Sequence, residues 1–306
     1  MFALLYALFF LPFGYRGEKA LVKLFEDDIK TKEVLSWQGL HLLHFNASSC
    51  SQKTRIVLNL KGIAWQSHPI NLLMAENYDA WYLGINPRGL VPTLVHDGNV
   101  FIESNDIITY LDETYTEPKL LTKALRPAIQ EQLELEDSLH MDLRTLTMRF
   151  VLPDFLARKP SKALKQSEDF DGTIGGIADN HSKKNTDFWR LQAEQGITER
   201  QAVESILKFQ DAFNTLEDRL KESSYILGNR LTLADIGWFV YAQRLKATGY
   251  PLKRLHPNVS SWHTRLAMTK EFASEIREPI PLKVIRNLYK VTLMARRTTL
   301  ADLSGI

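Results

Sequence analysis

The side chains best suited to chemistry gather in three short runs. Ser48-Ser49-Cys50 follows an apolar stretch, Leu40 to Phe45, and precedes a segment in which Ile56, Leu58 and Leu60 stand among Lys53, Arg55 and Lys61, up to Gly62. The first stretch reads as a buried strand and the second as a helix, closed by a glycine suited to the left-handed end position. The run therefore sits at a helix mouth, where free amides and the helix dipole favour an anion and lower a thiol's pKa. A hydroxyl there need not become a nucleophile, because as a donor it can hold a thiolate. Ser48 takes that role, with Ser49 in reserve. Cys50, the only cysteine, is read either as a reactive thiol or as a small buried hydrophobe, the common fate of a free cysteine.

Glu103-Ser104 opens the second run, just ahead of Ile107, Ile108, Tyr110 and Leu111. This is a predicted helix start, able to take a ligand carboxylate or simply to cap itself. The third run is His140, Asp142 and Arg144, on a helical stretch beginning near Leu125 and reaching Phe150. One turn cannot aim all three the same way, and His140 and Arg144 are kept as substrate contacts. The eight histidines lack close metal-ligand spacing, so no metal is expected. Gly172 to Gly176 follows no predicted strand and is no dinucleotide loop.

The elements that must position these runs follow in order. Ala64 to Leu72 reads as a second strand, giving a β-α-β start whose parallel pairing needs the crossover helix. Pro92 to His96 and Asn99 to Ile102 flank Asp97-Gly98, a strong hairpin signal. Strand signals stop after Glu117-Pro118. The chain divides into an extension at 1–39, a domain at 40–118, an all-helical domain at 125–280 and a tail at 281–306. Within the helical part, residues 157–197 carry Asp171-Gly172, Gly175-Gly176 and many lysines, and are expected to form a long mobile connection. A helix resumes over Glu199 to Leu220, and Thr232 with Asp235 supplies a capping box stapled by Leu231 and Ile236.

These features together resemble the glutathione transferase superfamily. Ser48 to Ser51 with Lys53, Arg55 and Lys61-Gly62 is similar to the zeta class, the maleylacetoacetate isomerases. Asn86-Pro87-Arg88-Gly89-Leu90-Val91-Pro92-Thr93-Leu94, with Asp97-Gly98 and Glu103-Ser104, resembles the superfamily's glutathione-binding signature, and Thr232 to Asp235 its helical cap. The Asn86 to Tyr115 segment, the long insert and the Leu216 to Leu220 run look like bacterial β-etherases that cleave aryl ethers. The Ser48-to-Arg55 loop with Cys50, and the Thr232-to-Tyr250 helix, look like reductive dehalogenases of chlorinated hydroquinones. The resemblance implies an α/β plus all-α protein: a thioredoxin-like domain, then a helical bundle whose first long helix faces the substrate cleft. It also implies a cis Val91-Pro92 bond that turns Val91 toward the cysteinyl part of glutathione, Ser104 on a glutathione carboxylate, and Glu103 on its amino group. The expected function is glutathione-dependent transfer to an electrophilic, aromatic substrate by conjugation or β-aryl ether cleavage. Reductive dehalogenation, cis-trans isomerisation and a non-catalytic adaptor are the alternatives. A homodimer is the family's habit.

Composition agrees with a folded enzyme. The 306 residues are 44% hydrophobic and 24% charged, with 38 basic against 36 acidic side chains. That balance excludes largely disordered and fibrous classes and argues against a nucleic-acid partner. The lone cysteine fits a reducing compartment, and the location is read as cytoplasmic, with a membrane surface left open as a partner. At the start, Met1 to Gly14 is apolar, but Pro12 cuts it short of the roughly 20 residues of a spanning helix. Arg16 and Lys19 follow the run, the reverse of a secretory signal. An interfacial anchor, a strip packed on the protein and an upstream start codon remain as readings. At the other end, Leu282 to Arg297 forms a basic amphipathic helix, with Lys283, Arg286, Lys290 and Arg297 on one arc and Val284, Ile285, Leu288, Val291 and Ala295 opposite. Docking of that apolar face on the protein is favoured over lying on a membrane.

Overall fold

The computed structural model describes residues 21–278 and 280–306. The apolar start, Met1 to Gly14, lies outside them. A four-stranded sheet forms the first domain, in the order β2 (Gln66–Pro69), β1 (Leu40–His44), β3 (Thr93–His96), β4 (Asn99–Phe101). β1 and β2 run parallel across helix α1 (Ser49–Leu60), as the crossover requires, while β3 pairs antiparallel with both β1 and β4. The Asp97-Gly98 turn takes positive φ at both residues, 47° and 75°, the geometry of a type I′ hairpin. A Cβ at Gly98 would also stand 2.2 Å from the Leu35 carbonyl oxygen, so glycine is required twice over.

Alternation along the strands sends Leu42 and Leu94 into one core and Leu43 and Val95 into another. The first core lies with α1 and α3 (Ser104–Thr114) and continues into the helical domain. The second is completed by Leu24, Ile29 and Val34. The described part of the segment set apart as an extension is therefore built into the first domain, and Lys23 bridges to Phe101 at the sheet edge. A short helix, α2 (Ala80–Leu83), precedes the turn at Asn86.

The helical domain opens with α4 (Arg126–Ser138) and α5 (His140–Phe150), broken at Leu139, and continues through a short α6 (Asp154–Ala157). The insert is not the irregular connection its composition suggests. It contains α7 (Ser161–Glu168), a hairpin of β5 (Thr173–Ile174) and β6 (Ile177–Ala178), and α8 (His181–Gln195). Polar sequence hides its order because few apolar residues suffice: Leu164 and Trp189 pack on Ala75, Tyr78 and Leu83 of the first domain. Its two adjacent glycines, at φ 64° and 73°, turn the hairpin so that both amides meet Asp28, at 2.9 and 3.0 Å.

The long α9 (Glu199–Glu222) packs on α5, and the almost wholly buried α10 (Leu233–Thr248) lies against α1, α4 and α5. At its start, Asp235 accepts from Thr232, from the Ile226 amide and from the Trp262 indole. Short α11 (Leu252–Leu255), α12 (Pro257–Ala267) and α13 (Lys270–Ala273) follow, then α14 (Ile280–Ala295) and α15 (Leu300–Ser304). The tail docks by a face other than the one expected. Leu293 is buried and Tyr289 donates to the Arg149 carbonyl, whereas Val284, Leu288 and Val291 are exposed. Among the described residues, no helix is long and apolar enough to cross a membrane.

Candidate active site

The loop into α1 is held from two sides before it reaches Ser48. Arg55 donates to the Asn46 carbonyl and Arg244 to that of Ala47, and Arg55 is itself paired with Glu275. Ser48 is the N-cap of α1, its oxygen accepting from the Ser51 amide at 3.3 Å. That bond leaves its O–H proton free to donate elsewhere. Ser49 is buried at the first helical position, and Cys50 is partly exposed at the second.

Of the two readings of Cys50, its surroundings go against the low-pKa thiol. Burial pushes its thiol up, and Glu136 adds to this, against Lys53 and a hydrogen bond from Ser104, which pull it down. The helix mouth thus does not leave a low-pKa thiol, because desolvation outweighs it. The Cys50 sulfur lies 3.8 Å from His140 Nδ1, which stands 3.1 Å from the Tyr241 hydroxyl. Burial and the nearby Arg144 guanidinium hold His140 down to about 4, so its imidazole is neutral near pH 7.

Beneath Cys50, Lys53 is fully enclosed. Its ammonium meets Asn105 at 2.6 Å and both Glu136 oxygens at 3.1 and 3.0 Å, tying α1, α3 and α4 together. This cluster joins the two domains directly behind the candidate site, and sequence reading missed it. Lys53 looked like one more charge on a helix, and its partner lies 83 residues away.

The Val91-Pro92 bond is cis. The segment before it is pinned by Tyr82 and Asn86, which donate to the Leu90 carbonyl at 2.5 and 2.9 Å and bond Thr93 Oγ1. Glu103 caps α3 at φ 66°, with Ser104 buried behind it at the first helical position. The Glu103 carboxylate already pairs with Arg88, whose other face pairs with Asp179 of the insert. His140 and Arg144 share one face of α5, toward Cys50. Asp142 faces away to Ser205 and Lys208 on α9, as spacing along one helix demands. Among the described residues, no cluster of metal-ligating side chains is present.

Comparison with known proteins supplies the family. The family described as "Glutathione S-transferase, N-terminal domain" matches residues 42–119, and "Glutathione S-transferase, C-terminal domain" matches 199–265. Glutathione S-transferase Z1 of Arabidopsis thaliana is 47% identical over 89 residues, 29% of this chain and 40% of that protein. The match to such zeta-class relatives thus spans about two fifths of their length. Protein LigF of Sphingobium sp. (strain NBRC 103272 / SYK-6) is 25% identical over 261 residues, 79% of this chain and 96% of LigF. The crystal structure of β-etherase LigF superposes with a TM-score of 0.66 at 24% identity, over 78% of this chain and 98% of that one, a likeness of fold. With both halves of the family in sequence order and in one fold, the chain belongs to the glutathione S-transferase superfamily.

Proposed function

We propose that the protein is a glutathione-dependent transferase that adds the glutathione thiolate to an electrophilic, aromatic substrate, by conjugation or by cleavage of a β-aryl ether. The observation that carries this reading is the meeting of two helix N-termini: Lys53 of α1 donates at 2.6 Å to Asn105, the residue after Ser104 at the start of α3, one turn on from Ser48 and Cys50. Two such termini suit an anionic tripeptide, one facing its thiolate and the other its carboxylate. Ser48 donates to the thiolate, and Ser104 with the first amides of α3 takes the γ-glutamyl carboxylate. The Val91 backbone pairs with the cysteinyl unit as an added strand. Glu103 receives the amino group beside Arg88. A carbon–sulfur bond then forms while the carbon–oxygen or carbon–halogen bond breaks, its electron pair leaving with the aryloxide or halide. The ether version draws support from LigF, a relative that runs along most of the chain.

A second reading, reductive dehalogenation, is favoured by Cys50 lying in the same cleft. Its thiolate would attack the sulfur of a glutathione adduct; the carbon–sulfur bond would break, carbon would take a proton, and a mixed disulfide would remain for a second glutathione to reduce. The raised thiol places this second. An adaptor would need neither site. Retention on immobilised glutathione, followed by turnover of a β-aryl ether, a chlorohydroquinone, maleylacetoacetate and a chloronitrobenzene, tests these readings. Failure to bind glutathione would overturn all but the adaptor.

We further propose a cytoplasmic homodimer, the family's habit, with α14 as its contact to a membrane surface. There Ile280, Val284, Leu288 and Val291 are exposed beside Lys283 and Lys290. Retention on anionic vesicles at low salt and release at high salt is the expected result, and indifference to both removes the contact.

A further inference from the structure

Beyond Cys50 and His140, side chains of α5 meet those of the insert, and the chemistry changes from thiol-facing to cationic. Arg144 Nη2 lies 3.5 Å from His140 Nε2, while Nη1 donates to Asn185 of α8. The guanidinium sits 5.5 Å from the Phe188 ring and 5.7 Å from that of Trp189. Over the same Trp189, at 5.1 Å, stands the ammonium of Lys159, which donates to the Leu72 carbonyl. Burial and the approach of Arg144 bring Lys159 down to about 8.

These two cations lack what four other cations of the fold have. Lys53, Arg55, Lys61 and Arg88, all enclosed, each meet a carboxylate. Among the described residues, neither Arg144 nor Lys159 lies within ion-pair distance of one. Enclosing two like charges around one aromatic wall without a counter-ion is unfavourable, and a fold that keeps such a pair in a cleft gains the offset when an anion enters. Both keep part of their surface accessible, as do His140 and Phe188.

We infer that the electrophile is an anionic aromatic, its carboxylate or equivalent acid held between Arg144 and Lys159 and its ring laid against Phe188 and Trp189. One imidazole separates Arg144 from Cys50, so a single-ring acid bound this way turns its far carbon toward the mouth of α1, where the thiolate attacks. The guanidinium offers the planar pair of donors that a carboxylate matches. The insert is then the specificity element, since it contributes the second cation and the aromatic wall. This inference rests on the proposed glutathione chemistry for its orientation, but not for its binding.

The test therefore reads binding and turnover separately. Calorimetry compares dinitrobenzoate with its methyl ester, and kinetics with glutathione compares chlorodinitrobenzoate with its methyl ester. The acid is expected to bind about tenfold or more tightly than the ester, the range for a hydrogen bond to a charged group. Arg144→Gln and Lys159→Met should each shrink that ratio, and kcat/KM should favour the acid by a similar factor in the unaltered protein. Equal binding of acid and ester to the unaltered protein overturns the inference, as does a ratio that survives both substitutions. If neither chloro compound turns over while the acid still binds preferentially, its orientation toward the thiolate fails and the anion site stands.

Discussion

At the scale of single residues, Ser48 carries two duties that a substitution separates. Its oxygen caps α1 by accepting from Ser51, and its proton is the proposed donor to the thiolate. Ser48→Ala should lose both: about 1 kcal/mol of stability as a lost cap, and turnover reduced by roughly 10²–10³ as a lost donor to an anion. Ser48→Asp keeps a capping oxygen but has no proton to give, so it should fold well and still fail to lower the pKa of bound glutathione. Ultraviolet titration of the thiolate checks this, and an unshifted thiol pKa in Ser48→Ala would remove Ser48 from the role. Ser104→Ala should weaken glutathione by about 1–3 kcal/mol by calorimetry, through loss of a hydroxyl from a buried carboxylate. The positions of these residues are legible in sequence because they depend on local geometry: a cap and a turn are set within a few residues. The state of Cys50 is not, since its raised thiol comes from burial, to which Glu136 of the second domain adds.

At the scale of elements, α1 shows where a linear pattern stops being informative. Lys53, Arg55 and Lys61 stand in the sequence only as charges interleaved with the apolar residues of a helix, yet all three are enclosed and paired with Glu136, Glu275 and Asp112. Helical spacing tells which residues share a face, whereas what covers that face is decided by partners far along the chain. Gly237 marks the same contact from α10, where a Cβ would come within 3.2 Å of Leu133 on α4. Glu136→Ala strands the Lys53 ammonium and should cost about 3–5 kcal/mol, whereas Lys53→Met with Glu136→Leu should recover most of it. Denaturant unfolding of the single and double variants decides between a pair held for stability and one merely tolerated. The insert makes the complementary case: it looked unstructured, but Asp28 gathers Thr173, Gly175 and Gly176, and Arg88 bridges Glu103 to Asp179. Asp28→Ala should therefore hasten proteolysis between residues 171 and 180 and weaken the preference for an anionic electrophile, with glutathione affinity little changed.

At the scale of the whole molecule, the order of domains and the sheet were readable because hairpin, crossover and capping signals are short-range, while the way the two domains close on each other was not. That closure leaves a charge pattern with a measurable consequence. His44, His140 and His263 all lie at or near packed surfaces, and burial, reinforced by Arg55, Arg144 and Lys246 respectively, holds them down to about 4, 4 and 3. In the unfolded chain each takes its proton near 6.5. Between those values the unfolded state binds more protons than the folded one, so acid favours unfolding there. Stability should be flat with respect to these groups above about pH 6.5 and fall steadily as the pH drops toward 4, ahead of the range in which carboxylates titrate. His140→Gln removes one of the three and should make the fall shallower, because the substituted side chain has no proton to take up. Denaturant midpoints measured from pH 8 to pH 4 on both proteins give the slopes; equal slopes would mean that His140 is protonated in the folded cleft near its ordinary pKa, and that Arg144 does not press on it as the geometry implies.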